Sequence, residues 1–250
     1  MAFWLLPITL LLSLPAQKDW TLYFVVLTEW RYFESLANTL VLSISVTFLT
    51  LILGATVGLY MARSQFVGKH LLLSILTLPL SFPGVIVGFF MILLGGRQGF
   101  ISSLTEPLGL GTVTFAYGFV GLFLAYLYFS LPRAIAAYEA AAQTMDPELE
   151  QAARTLGANR WHIVRDVWIP QLAPTTAACA AIVFATAVGA FGTAFTLSSK
   201  FEVLPITIYS EFTNFANFAL AASLSITLGL CTWFVLFLTR RRTSPGLVGA

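Results

Sequence analysis

The chain has 250 residues, of which 58% are hydrophobic and only 10% charged, with a formal net charge of +2. An ordinary soluble domain carries about 25% charged residues, so a water-facing surface is excluded, whereas lipid can solvate an apolar exterior. The small net charge gives no footprint for nucleic acid, and the two cysteines, Cys179 and Cys231, both lie in apolar runs and read as packed thiols.

Apolar runs near the ~20 residues needed to cross a bilayer predict an all-α integral membrane protein of about six transmembrane helices, built as one membrane domain over residues 1–250. In chain order the runs are Met1–Pro15, Leu36–Ala62, His70–Gly95, Val113–Leu131, Leu172–Ser198 and Phe215–Thr239. The first is short and has no Lys or Arg ahead of its apolar stretch, unlike a secretory signal. It reads as a retained span, with a cleaved or interfacial segment as the alternative.

Small residues four apart, Gly54 with Gly58 and Gly84 with Gly88, let helix backbones approach where lipid gives no hydrophobic drive. Pro79 and Pro83 in the third run each remove a backbone donor. They predict either a packing kink or an unwound stretch of the kind that lines a solute path. The runs hold almost no ionisable residues, so an ion or proton relay is hard to build and the energy source is expected elsewhere.

Alternate connections carry Arg63, Lys69, Arg133, Arg154, Arg160 and Arg165, and Arg240, Arg241 and Arg242 follow the last run. Basic residues in short loops favour the cytoplasmic side. Both termini, Ser64–Lys69 and Pro132–Gln171 are therefore expected inside, and Ala16–Ser35, Gly96–Thr112 and Ser199–Asn214 outside.

The inner segment Pro132–Gln171, at about forty residues, exceeds what joining two neighbouring helices needs. Its punctuation predicts two short helices. Asp146 caps the first, Pro147 opens it, Glu148 and Glu150 suit its positive end, and Gly157 stops it. Asn159 caps the second, Arg160–Val167, which is expected to end before Pro170. Such an elbow suits a docking element; a solvated loop packed on its own membrane domain is the bland alternative.

Within it stand Gln151-Ala152-Ala153, three residues, Gly157, nine residues, then Val167-Trp168-Ile169-Pro170. This pattern resembles the Glu-Ala-Ala loop of the permease subunits of type I, binding-protein-dependent ABC importers. Glu139-Ala140-Ala141 matches the first three letters but sets Met145 at the glycine place, so the register begins at Gln151, with Glu150 adjacent. Asn38-Thr39-Leu40, Leu78-Pro79 with Pro83-Gly84, and Gly189-x-Phe191-Gly192 extend the resemblance into the membrane runs.

The resemblance implies a bacterial inner-membrane subunit, not itself an enzyme, that binds no cofactor because a partner subunit binds ATP. It implies a second permease chain, identical or homologous, two ATP-binding cassette subunits, and a periplasmic or lipid-anchored solute-binding protein. Glu150, Gln151, Ala152, Ala153, Leu156, Gly157, Ala158, Arg160, Trp161 and Pro170 would then couple to the ATPase. Pro79, Ser81, Pro83, Thr186, Gly189, Phe191 and Thr193 would line the pathway. Spermidine or putrescine is the expected cargo, with iron, thiamine, phosphonate or an oxyanion as alternatives. A gradient-driven transporter or membrane-embedded enzyme is the rival class. No Gly-x4-Gly-Lys-Ser/Thr phosphate loop occurs, and Gly95-Gly96-Arg97-Gln98-Gly99 reads as a turn.

Overall fold

The computed structural model describes residues 2–109 and 111–243, and every regular element among them is helical. In chain order these are α1 (Ala2–Lys18), α2 (Val25–Thr28), α3 (Trp30–Arg63), α4 (Lys69–Thr77), α5 (Gly84–Gly95), α6 (Phe100–Thr105), α7 (Phe119–Gln143), α8 (Pro147–Thr155), α9 (Arg160–Ile163), α10 (Ile169–Val188), α11 (Phe191–Leu197), α12 (Leu204–Thr213) and α13 (Phe218–Thr243). Among the described residues, five stretches are long and apolar enough to cross a membrane: Trp30–Arg63, Gly84–Thr105, Phe119–Gln143, Arg160–Val188 and Phe218–Thr239. Met1 of the expected first span and the terminal residues 244–250 lie outside the described residues.

Three expected spans are redrawn. The run His70–Gly95 is not one helix: α4 gives way to a 3-10 turn at Leu78–Ser81, and α5 starts again at Gly84. Pro79 and Pro83 lack the N–H groups that would carry the ladder onward, and Pro83 is extended (φ −57°, ψ 146°) as the residue ahead of α5. The run Leu172–Ser198 also divides, at Gly189 and Ala190, although no proline marks it. The fourth run does not end at Leu131. Helix α7 passes through Pro132 and Arg133 to Gln143, so these residues open no loop. A membrane helix tolerates such a proline where neighbouring helices re-satisfy the freed carbonyl, and Pro132 is buried.

The most extensive helix pair is α3 against α7. A Cβ on Gly54 would stand 2.7 Å from Ala134 Cβ, and one on Gly58 would stand 2.7 Å from Tyr138 Cβ. Glycines here remove the side chain that would hold the two backbones apart. Gly84 and Gly88 serve α5 in the same way against Thr193 and Thr196 of α11, so each broken span packs its second half on the other's. Leu42, Val46, Val87, Leu122, Tyr126 and Val183 fill the core between these helices.

On the side expected to face outward, Arg31 bridges Glu202 at 3.1 Å, and Glu211 accepts a 3.1 Å hydrogen bond from Tyr32 Oη. Ser35 and Thr207 share a buried 2.8 Å hydrogen bond, and Thr39 Oγ1 accepts from Leu204 N–H at 2.8 Å. These contacts tie the start of α3 to α12. They explain why Ser199–Asn214, expected as a plain connection, contains an ordered helix.

Candidate functional site: a two-helix elbow and a cleft between broken helices

The elbow forms as its punctuation predicts. Asp146 Oδ1 accepts from Glu148 N–H at 2.8 Å and caps α8, with Pro147 in its first turn. At the far end Gly157 is left-handed (φ 80°). Its N–H donates to Arg154 O and that of Ala158 to Ala153 O, both at 3.0 Å, the paired bonds of a Schellman stop. Asn159 Oδ1 then accepts from His162 N–H at 3.0 Å and starts α9.

The second helix does not end before Pro170. Residues Val164–Trp168 are π-helical and join α9 to α10, giving one helix from Arg160 to Val188. The wider turn regroups the hydrogen bonds just ahead of Pro170, which has no N–H to offer. Pro170 thus sits in the first turn of α10 rather than beyond a helix end.

The centre of the elbow is Glu150. Its carboxylate accepts from Arg63 and Arg154, both at 2.8 Å, and from Trp168 Nε1 at 3.2 Å. Arg63 also lies 4.0 Å above the Trp168 ring, a cation–π contact. Burial pushes the carboxyl's pKa up, but the hydrogen bonds from Arg63, Arg154 and Trp168 and the Arg63 charge outweigh it and hold the group at about 2. Glu150 therefore pins α8 both to the end of α3 and to the π-helical segment. Gln151 is exposed beside it and lines the same pocket of about 430 Å³. The carboxylate that organises this elbow stands one residue before the place where the motif register looks for it.

Around that anchor the elbow turns apolar side chains outward: Leu149, Leu156 and Trp161 are 50%, 87% and 67% exposed. Ala152 and Arg160 are exposed with them, Ala153 is half-buried and Pro170 is exposed. Glu139 is not part of this surface. It is buried on α7 and pairs with Lys69 at 3.3 Å, which ties the start of α4 to α7.

The two broken spans meet at a cleft of about 370 Å³. Pro79, Thr186, Gly189, Phe191 and Thr193 line it, together with Phe82, Phe129 and Arg133. Ser81 and Pro83 belong to the same break without lining the cleft. Tyr126 Oη donates to Ala190 O at 2.8 Å, and Thr193 Oγ1 to Gly84 O at 3.0 Å, so side chains satisfy carbonyls at both breaks. Thr186 Oγ1 is likewise spent on Ile182 O and Val183 O, at 2.8 and 3.0 Å. The hydroxyls of Thr186 and Thr193, two of those expected to meet a solute, thus have their protons committed to backbone. Sequence reading missed Arg133 as a lining residue because it took α7 to end at Leu131.

Known proteins resemble the chain over most of its length. Residues 54–243 match the model of the family described as binding-protein-dependent transport system inner membrane component. The chain is 34% identical over 191 residues to the molybdenum transport system permease protein ModB of Escherichia coli (strain K12), covering 73% of this chain and 79% of that one. It is 27% identical over 228 residues to the sulfate transport system permease protein CysT of the same strain, covering 90% and 81%. Among solved structures, a chain of a bacterial ABC transporter involved in import of the acidic polysaccharide alginate superposes with a TM-score of 0.78 at 18% identity, covering 95% of this chain and 89% of that one. A chain of the inward-facing MetNI methionine ABC transporter superposes at 0.63 with 19% identity, covering 85% and 94%.

Proposed function

Because the chain belongs to the family of binding-protein-dependent transport system inner membrane components, we propose that it is the permease subunit of an ATP-driven importer of a tetrahedral oxyanion, molybdate or sulfate. The observation that carries the cargo is the relationship to permeases named for molybdenum and sulfate transport, over most of their length. It favours the oxyanion alternative, and the expected spermidine or putrescine gives way to it.

The mechanism follows from the two features of the site. The exposed Leu149, Leu156 and Trp161 are apolar surface that a cytoplasmic partner would cover. In this reading the partner is an ATP-binding cassette subunit, one of two in the complex, and ATP hydrolysis belongs to it rather than to this chain. A second permease chain, identical or homologous, completes the pathway, and a solute-binding protein delivers cargo from outside. The elbow, with Gly157 at its turn, and both termini lie on the cytoplasmic side. Fixed to α3 and α10 through Glu150, the elbow moves with the membrane helices when the ATPase pair closes, and the cleft between the broken spans is the passage.

Reconstitution tests this reading. Proteoliposomes holding the complete complex, with ATP inside and the binding protein outside, are expected to accumulate labelled molybdate or sulfate. Accumulation that persists without the ATPase subunits overturns the coupling; ATP-dependent uptake of polyamine in preference to either oxyanion overturns the cargo.

A further inference from the structure

We infer that Arg133 is the cargo-recognising residue of the cleft, a guanidinium that binds a tetrahedral oxyanion as it passes the helix breaks. The inference rests on the oxyanion reading above and adds to it the residue that holds the anion.

Its position along the membrane is the first ground. Arg133 neighbours Ala134, which faces Gly54 of α3. Gly54 lies nine residues before Arg63, where α3 ends, which at 1.5 Å per residue is about 14 Å. The Lys69–Glu139 pair lies a further six residues along α7, or about 9 Å. Arg133 is therefore set back along α7 from the charges at the helix ends, within a stretch long and apolar enough to cross a membrane. A charge at that depth is costly, and where it occurs it faces a cavity, a partner or a solute path.

The surroundings of the side chain are the second ground. Among the described residues the cleft lining contains no Asp or Glu, and Arg133 forms no ion pair with any of them. The lining hydroxyls of Thr186 and Thr193 already donate to backbone. The guanidinium is thus the lining side chain with donors to spare, in a fork that fits two oxygens of a tetrahedral anion. Pro79, Phe82 and Phe129 beside it are apolar and cannot solvate a dianion themselves. Anionic lipid phosphate shares this chemistry, and the test separates the two sources.

The complex is reconstituted with Arg133→Gln and Arg133→Lys in vesicles of phosphatidylcholine alone and of phosphatidylcholine with phosphatidylglycerol, and labelled molybdate and sulfate uptake are measured. Wild-type uptake of either oxyanion is the control on the functional reading; its absence sinks that reading and not the residue assignment alone. Given wild-type uptake, Arg133→Gln is expected to lower the rate at least tenfold in both lipids, with Arg133→Lys recovering a third or more. Wild-type rates from assembled Arg133→Gln overturn the inference, as does a defect confined to vesicles containing phosphatidylglycerol. Should Arg133→Gln fail to assemble, the wild-type complex in phosphatidylcholine is treated with phenylglyoxal. Millimolar molybdate or sulfate, but not chloride, is expected to protect Arg133; equal modification with and without the oxyanion overturns the inference.

Discussion

Tyr126 on α7 donates its hydroxyl proton to the carbonyl of Ala190, 2.8 Å away, at the point where the fifth apolar run breaks. The ring is buried in the core, so the hydroxyl meets this carbonyl from within the bundle. Tyr126→Phe leaves the carbonyl unpaired at membrane depth, and a loss of about 1–3 kcal/mol is expected. The measurement is thermal stability of the purified complex, with uptake read alongside. A variant as stable as wild type would mean that water or a regrouped helix end replaces the tyrosine.

A second prediction concerns the contact between the two broken spans. A Cβ on Gly88 would overlap Thr196 Oγ1 and stand 2.9 Å from Thr196 Cβ. Gly88→Ala should cost about 1–3 kcal/mol by overpacking. Thr196→Ala in the same chain should return part of it, because the hydroxyl is gone while the Cβ remains. Additive losses in the double variant would show that the two residues do not oppose each other.

Glu150 supplies a prediction with a pH signature. Glu150→Gln weakens three hydrogen bonds and two ion pairs, and about 1–2 kcal/mol is expected from groups this exposed on the arginine side. The folded carboxyl titrates at about 2 against an ordinary value of 4.5. Its stabilisation is therefore complete above about pH 4.5 and is lost as pH falls through about 2. The difference in melting temperature between wild type and Glu150→Gln should be flat from pH 5 to 8 and shrink below. A difference that changes near neutrality would assign the effect to another group. Gln151→Glu, at the exposed neighbouring position, should leave assembly and uptake near wild-type levels.

Gly157 separates conformation from fit. No atom lies within 4 Å of where its Cβ would stand, yet its φ of 80° is strained for any L side chain. Gly157→Ala should cost about 1 kcal/mol from backbone strain alone. Gly157→Pro, which cannot take that φ or donate to Arg154 O, should remove the turn and abolish coupled uptake. Retained ATPase binding and uptake in Gly157→Pro would mean that the elbow is not the coupling element.

These residues also mark what the sequence makes legible. The elbow could be read because Asp146, Pro147, Gly157 and Asn159 act on their own backbone within a few residues, and so could the break at Pro79 and Pro83. The break at Gly189 and Ala190 carries no such local marker; it is held by Tyr126, sixty-four residues away. Pro132 points in the opposite sense: a proline is tolerated inside a helix supported by its neighbours, so Arg133, which the sequence alone places in a loop, lies within α7. The choice of Glu150 over Gln151 as the anchoring residue depends on Arg63 and Trp168 arriving from other helices, which no spacing rule contains.

The uninterrupted run from Arg160 to Val188 has a mechanical consequence. Its 29 residues form a strut about 43 Å long, with Trp161 near one end and the Gly189 break at the other. The π-helical turn, Pro170 and Pro174 all fall at or before its midpoint, so a push at Trp161 bends the strut there while the half leading to Gly189 moves as one piece. The same strut sets a limit: an inserted residue between Val164 and Trp168 would rotate one end against the other by about 100°, misaiming the elbow while leaving each end locally intact.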